Sequence, residues 1–496
     1  MARGIAAVVA GAALSAAGAS GTGLPGTAAA AQVASAGSAG TSPAAAPSGS
    51  RLWIARYNGP PGTDNVAASM AVSPDGTRVF VTGWSARVRT GPGGEFATVG
   101  YKTATGARLW AQRYHGPAGG TAEARSVAIS PDGTTVFVTG TILNVQRTDY
   151  DYVTIAYQAA TGAVRWTARY DGPGSPSDDQ AYAVAVSRDG RTVFVTGSTA
   201  SPDRPRGDGS TTIAYRAATG TRRWLAHYNG SGGRAVAVSP RGDKVIITGT
   251  NGRDYGTVAY RAADGTRLWA RHHDGPTGAR DYGGATALAF SPDGSTVFVT
   301  GDSHDPGTPD PGVTYATIAY RATDGTQRWA VSDDPLASTG GAEAVAVSPD
   351  GRTVLVTGND YATVAYRAAT GAQRWASPRL DASRGGTGAQ QRASRNLGGY
   401  ATALAVSPDG RKVFVTGPAF DPVSGNGIRE FTVVALSTAT GARLWVNRYQ
   451  GPRNLGGTGV AVAVSPAGRR VYVAGSTIWA IPRTLAYRYT IIAYRA

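Results

Sequence analysis

Six side chains in this sequence have the type and placement to hold a ligand: Trp84, Trp479, Asp64, Asn65, Tyr487 and Tyr489. An exposed indole pair is a stacking platform for a sugar or an aromatic ring, and neighbouring amide, carboxylate and phenol groups would orient it. A second set, Asp302, His304, Asp305 and Asp310, offers hard oxygen ligands of the kind Ca²⁺ takes. Its spacing fits no defined calcium loop. Pro306, Gly307 and Pro309 make a plain turn the simpler reading, so no metal is expected there. Catalytic chemistry is sparse. The chain has 5 His, and four of them, His115, His227, His272 and His273, sit at repeated outer positions. There is no Gly-x-Ser-x-Gly elbow, phosphate loop or dinucleotide fingerprint. With 0 Cys, thiolate metal sites and disulfides are excluded. No catalytic residue is identifiable and no cofactor is expected.

These residues are carried by a repeat. Ser-Pro-Asp-Gly or a close variant begins at Ser73, Ser130, Ser187, Ser239, Ser291, Ser348, Ser407 and Ser465, so the spacing is 57, 57, 52, 52, 57, 59 and 58 residues. Each copy has an apolar run before that turn and a Val-Phe-Val-Thr-Gly run after it. A Thr-Ile-Ala-Tyr-Arg-Ala-Ala-Thr-Gly run and an Arg-Leu-Trp-Ala-Arg-Tyr run follow. Short runs of Val, Ile, Thr, Phe and Tyr between Pro, Asp and Gly turns predict strands joined by hairpins. A fixed period of this size predicts a repeat architecture, and four-stranded units bury both faces only by stacking into a ring. The fold expected is all-β, an eight-bladed β-propeller of four-stranded antiparallel blades.

The tryptophans predict how the ring closes. Trp110, Trp166, Trp224, Trp269, Trp329, Trp375 and Trp445 each follow a complete third strand, whereas Trp53 precedes the first Ser-Pro-Asp-Gly. The eighth copy ends at Ala496, where its turn and Trp strand are due. Ser48-Gly49-Ser50-Arg51-Leu52-Trp53 matches Thr105-Gly106-Ala107-Arg108-Leu109-Trp110, so the N-terminal strand should complete the last blade.

The strings DYVTIAYQAATGAVRWTARYDGP from Asp151 and AVAVSPDGRTVLVTG from Ala344 resemble the propeller repeats of secreted and surface bacterial proteins. Ala-x-x-x-x-Thr-Gly-x-x-x-Trp also resembles the tryptophan-docking motif of quinoprotein-like (PQQ-like) eight-bladed propellers. The resemblance implies the fold and says little about activity, because these motifs pack blades. The motif usually carries Asp two residues after its Ala. Here that position holds Lys102, Gln158, Arg216, Arg261, Arg321, Arg367 and Ser437. The adjacent cysteine pair of many quinoprotein dehydrogenases is missing, which weighs against that activity.

Residues 1–31 read as a signal peptide, with Arg3, an apolar run from Ile5 to Ala17 and small residues near Ala31. Residues 32–47 are a linker of Ala, Gly, Ser, Thr and Pro, and residues 48–496 form the propeller. No later apolar stretch approaches the roughly 18 residues that a membrane span needs. An extracellular location is expected, with association to the cell wall as an extension of it. The net charge is +16, but the arginines recur at fixed repeat positions and make a belt instead of a cleft. Nucleic acid is not an expected partner. An anionic cell-wall polymer suits such a diffuse positive field.

In a four-stranded blade the Ser-Pro-Asp-Gly and Ala-Thr-Gly turns share one face. The second-to-third and inter-blade loops share the other face and carry the length variation, as in 141–149, 198–209, 302–314 and 382–399. Function on a rigid scaffold concentrates in such loops. The expectation is a monomeric, secreted, non-enzymatic propeller that binds a glycan or a protein on this variable face. The alternative is a quinoprotein-like, lactonase or lyase-type enzyme with its site on the axis. A recurring acid-aromatic pair opens the third strand (Glu95-Phe96, Asp151-Tyr152, Asp254-Tyr255, Asp360-Tyr361, Glu430-Phe431) and reads as structural, the acid pairing with a repeat Arg.

Overall fold

A computed structural model describes residues 47–496 apart from 88–93, 117–119, 145–148, 173–177, 202–203, 251–254, 274–283, 305–312, 334–340, 378–379, 381–398, 421–428 and 482–483. The expected signal peptide lies outside the described residues, as does the linker except for Pro47. Eight four-stranded sheets follow one another, each with all its strand pairs antiparallel. Blade 1 runs Thr63–Val72, Arg78–Arg87, Gly94–Lys102 and Arg108–His115, from innermost to outermost strand. The innermost strands touch in sequence order, and that of blade 8, Gly457–Val464, touches that of blade 1.

Blade 8 is closed from the other end of the chain. Its own strands are Gly457–Val464, Arg470–Ile481 and Thr484–Arg495, and Arg51–Tyr57 adds the fourth. Ile54 lies opposite Ile492 and Tyr57 opposite Tyr489. The Gly49 N–H donates to the Arg495 carbonyl at 2.8 Å. The closure expected from the Trp53 strand is the one observed.

Each Ser-Pro-Asp-Gly turn is pinned by its own side chains. In blade 1 the Ser73 hydroxyl donates to Asp75, whose carboxylate accepts the Thr77 N–H at 3.0 Å, while the Arg78 N–H donates to Ser73 Oγ at 2.9 Å. These bonds hold the Asp75 carboxyl below the usual carboxylate range even against partial burial, which acts in the opposite sense. Gly76 takes a φ of 69°, which a side chain would strain.

The glycine that ends the Val-Phe-Val-Thr-Gly strand is required for a different reason. In blade 3 the register slips between Ala181 and Ala183, so Tyr182 is a bulge on the innermost strand. The bulge pushes backbone against Gly197, where an added Cβ would lie 1.9 Å from the Gln180 carbonyl oxygen. The same slip occurs in blades 1, 2, 5, 6 and 8.

Adjacent blades are joined by tryptophan. Trp110 packs between Phe80 of its own blade and Tyr157 of the next, with ring centroids 5.6 and 6.0 Å apart. Its indole N–H donates to the Ala159 carbonyl of that next blade at 3.0 Å. Trp53, Trp166, Trp224, Trp269, Trp329 and Trp375 make the equivalent bond at 2.8–3.1 Å. Trp445 differs, because its buried Nε1 has no hydrogen-bond partner. Beside it, Gly49 packs on the indole and the Asn447 amide donates to the Gly49 carbonyl at 2.8 Å.

Candidate functional site

The second and third strands of blade 8 run on past the blade body into a long hairpin, with Trp479 opposite Ala486. Trp479 is therefore a strand residue, as is Trp84 in blade 1, opposite Val66 and Phe96. Two guanidinium groups lie over the Trp479 ring, Arg488 at 4.3 Å and Arg56 at 5.6 Å from the centroid. Arg56 also donates to the Tyr449 hydroxyl. Trp479 Nε1 and Arg56 Nε are both buried without a hydrogen-bond partner. Arg488 lines a cleft of about 260 Å³, walled by the 58–63 turn and Ala486. Burial, and secondarily the charge of Arg56, lowers the pKa of the Arg488 guanidinium from its ordinary value.

The other expected residues divide between this cleft and the interior. Tyr487 is 40% exposed, and its N–H donates to the Asp64 carboxylate at 2.8 Å, which ties blade 8 to blade 1. Asn65 is fully buried, and its amide donates to the carbonyls of Asn58 at 3.0 Å and Thr63 at 3.2 Å. It braces the 58–63 turn from the inside. Tyr489 is likewise a core residue, 1% exposed, with its hydroxyl on the Ala97 carbonyl at 3.0 Å. Trp84 is half-buried, and among the described residues no ring contact joins it to Trp479. The Trp479 ring carries guanidinium groups instead.

Of the four weak oxygen-ligand candidates, Asp302 and His304 are on the second strand of blade 5. Asp305 and Asp310 lie outside the described residues. Among the described residues no group of three or more His, Asp or Glu is placed to hold a metal ion.

A second cluster, not anticipated from the sequence, lies on the innermost strands. The bulge position holds Ala68, Arg125, Tyr182, Thr286, Glu343 and Val460 in the six blades that slip, and Arg234 and Thr402 stand at the matching place just before the innermost strands of blades 4 and 7, each between two small residues. Arg125 and Arg234 lie over the Tyr182 ring at 4.8 and 5.2 Å. Gln180 accepts from the Tyr182 hydroxyl at 3.1 Å and from Arg125 at 3.3 Å. Burial and the nearby Asp302 charge push Glu343 up to about 7, and Arg234 opposes them. The sequence signal was a varying residue inside an otherwise constant strand.

The geometry agrees with comparisons against known proteins. The family model described as outer membrane protein assembly factor BamB, a PQQ-like repeat family, matches residues 41–277, 209–417 and 314–481. The chain belongs to this family. No curated protein matches it. Among solved structures it is similar to Sqt1 from Chaetomium thermophilum (13% identity, 90% of this chain and 98% of that one, TM-score 0.58). It is also similar to the C-terminal WD40 domain of Sif2 (13% identity, 88% and 97%, TM-score 0.51). BamB from Moraxella catarrhalis is matched at 15% identity over 90% and 99%, with a TM-score of 0.47. At such identities the likeness is one of fold.

As a PQQ-like propeller the chain docks its tryptophans without the usual aspartate. Lys102, Gln158, Arg216, Arg261, Arg321 and Arg367 stand exposed at that position while the indole N–H reaches the carbonyl of the following residue. The expected pairing of acid with repeat Arg is present as Arg113–Glu95, as Arg169–Asp151 at 2.6 Å and as Arg448–Glu430 at 2.9 Å.

Proposed function

We propose that this propeller is exported and binds, without catalysis, a cell-surface or environmental glycan on its variable-loop face. The observation that supports this most directly is the cleft at the junction of blades 8 and 1. It lies at the variable-face end of the sheets and is lined by Arg488, with the exposed Tyr487 and the half-buried Trp479 beside it. Export rests on the character of residues 1–31. A thermal-shift screen of neutral and acidic polysaccharides tests the proposal. A ligand at 100 times its dissociation constant adds about 2.7 kcal/mol of stability. The shift should vanish in Tyr487→Ala while the unliganded melting temperature stays within a degree or two, since that side chain is exposed. No shift with any polysaccharide would favour a protein partner, the kind of role the family's description as an assembly factor carries.

A second reading, an enzyme with its site on the axis, is favoured by one observation. Glu343, pushed up to about 7 near Arg234, has the character of a general acid. Turnover of a lactone or uronate abolished by Glu343→Gln would establish it.

A further inference from the structure

The blade 8 cleft departs from a pairing that blades 1, 2 and 7 share. In blades 1, 2 and 7 an outermost-strand arginine forms an ion pair with an acid on the third strand. The acid stands two residues before that arginine's ladder partner: Glu95 before Ala97, Asp151 before Val153 and Glu430 before Thr432. In blade 8 the arginine is Arg56 and its ladder partner is Thr490, so the acid position is Arg488. The aromatic half of the pair is retained as Tyr489, buried like Phe96 and Tyr152. Only the charge has changed, from acid to base.

The result is two guanidinium groups over one indole. Neither has a carboxylate partner among the described residues. The neighbouring Asp64 carboxylate is engaged by the Tyr487 N–H. Like charges held together in a half-buried place cost stability unless something neutralises them. Local conflicts of this sort concentrate at functional sites. The indole faces partly satisfy the two cations and fix their direction. The unpartnered donors Trp479 Nε1 and Arg56 Nε remain, and the cleft beside Arg488 has room for a sugar-sized group.

Resting on the glycan reading above, we infer that the Arg56–Trp479–Arg488 cluster is an anion site that selects acidic polymers, engaging a carboxylate or phosphodiester oxygen pair. Guanidinium forks match both groups in bidentate fashion. The site is local, unlike the arginine belt, whose members such as Arg165 and Arg328 stand exposed on outermost strands.

The test uses the full chain against polygalacturonate, a poly(glycerol phosphate) wall polymer and dextran. Both acidic polymers, or one of them, should bind at least roughly tenfold more tightly than dextran, and binding should weaken from 0.15 to 0.5 M salt as pairing is screened. Whichever acidic polymer binds identifies the source of the anion. Arg488→Glu supplies the ion pair found in blades 1, 2 and 7. It should lower affinity by roughly tenfold or more while the melting temperature holds or rises, so lost binding will not reflect misfolding. Arg165→Glu makes the same charge change on the belt and should leave binding intact. Equal loss in Arg165→Glu, or none in Arg488→Glu, would overturn the site. Dextran binding as tightly as the acidic polymers would overturn the anion inference but leave the glycan reading standing. No binding of any polymer would overturn both.

Discussion

Deleting residues 46–58 is expected to open the ring. The strand lost, Arg51–Tyr57, carries Trp53, Ile54 and Tyr57 into the apolar clusters between blades 8 and 1 and between blades 7 and 8. Burial of a large side chain is worth roughly 1.5–3 kcal/mol when complete. Tyr57 is 5% exposed and the other two are half-buried, so the direct loss is on the order of 5 kcal/mol. That is comparable to the whole stability of an ordinary domain. The deletion also removes the Trp53 bond to the Thr103 carbonyl and bares the third strand Thr484–Arg495 as an edge, which invites aggregation. A chemical-denaturation midpoint far below wild type is expected, with partial recovery when a peptide of residues 46–58 is supplied. A deletion variant that unfolds like wild type would show that the ring does not need this strand.

Gly197→Ala should be among the most damaging changes of one methyl group. The new Cβ meets the Gln180 carbonyl oxygen at 1.9 Å and the Ala181 Cα at 2.7 Å, all backbone, so no side chain can move aside. Relief requires undoing the bulge that sets Tyr182 between Arg125 and Arg234. Overpacking of this kind costs roughly 3 kcal/mol or more. Gly242→Ala is the control. Its φ is 75° and nothing lies within 4 Å of the added Cβ, so only left-handed strain of about 1 kcal/mol is expected. Equal denaturation midpoints for the two variants would refute the steric account.

The blade plan was legible because each strand declares itself twice, in β-branched runs and in the Asp and Gly turns that end them. The closure followed from one misplaced residue, Trp53. The site was legible only in part. Trp479 stood out from the repeat, but Tyr487, Asn65 and Tyr489 were alike as polar neighbours, and burial assigns the last two to the turn and the core. Arg488 was visible in the sequence and its meaning was not. The acid position becomes significant only once the register shows which arginine faces it. Tyr182 and Glu343 were hidden for a related reason. A bulge shifts the pattern by one residue, and alternation along the strand does not reveal it.

The blade junctions are not all alike. Seven indole N–H groups reach a carbonyl of the neighbouring blade, and that of Trp445, at the junction of blades 7 and 8, does not. That junction adjoins the sheet where the two halves of the chain meet, with Gly49 and Ser50 bonded to Arg495. Tension applied between Pro47 and Ala496 would act on one end of the Arg51–Tyr57 ladder and peel its bonds singly, without loading them in parallel. The ring then behaves as a bracelet with a clasp. Its weak direction is a pull across the clasp, where the ladder bonds are loaded one at a time. Force spectroscopy should record a first opening event at low force, releasing only the length of one strand, before any blade unravels.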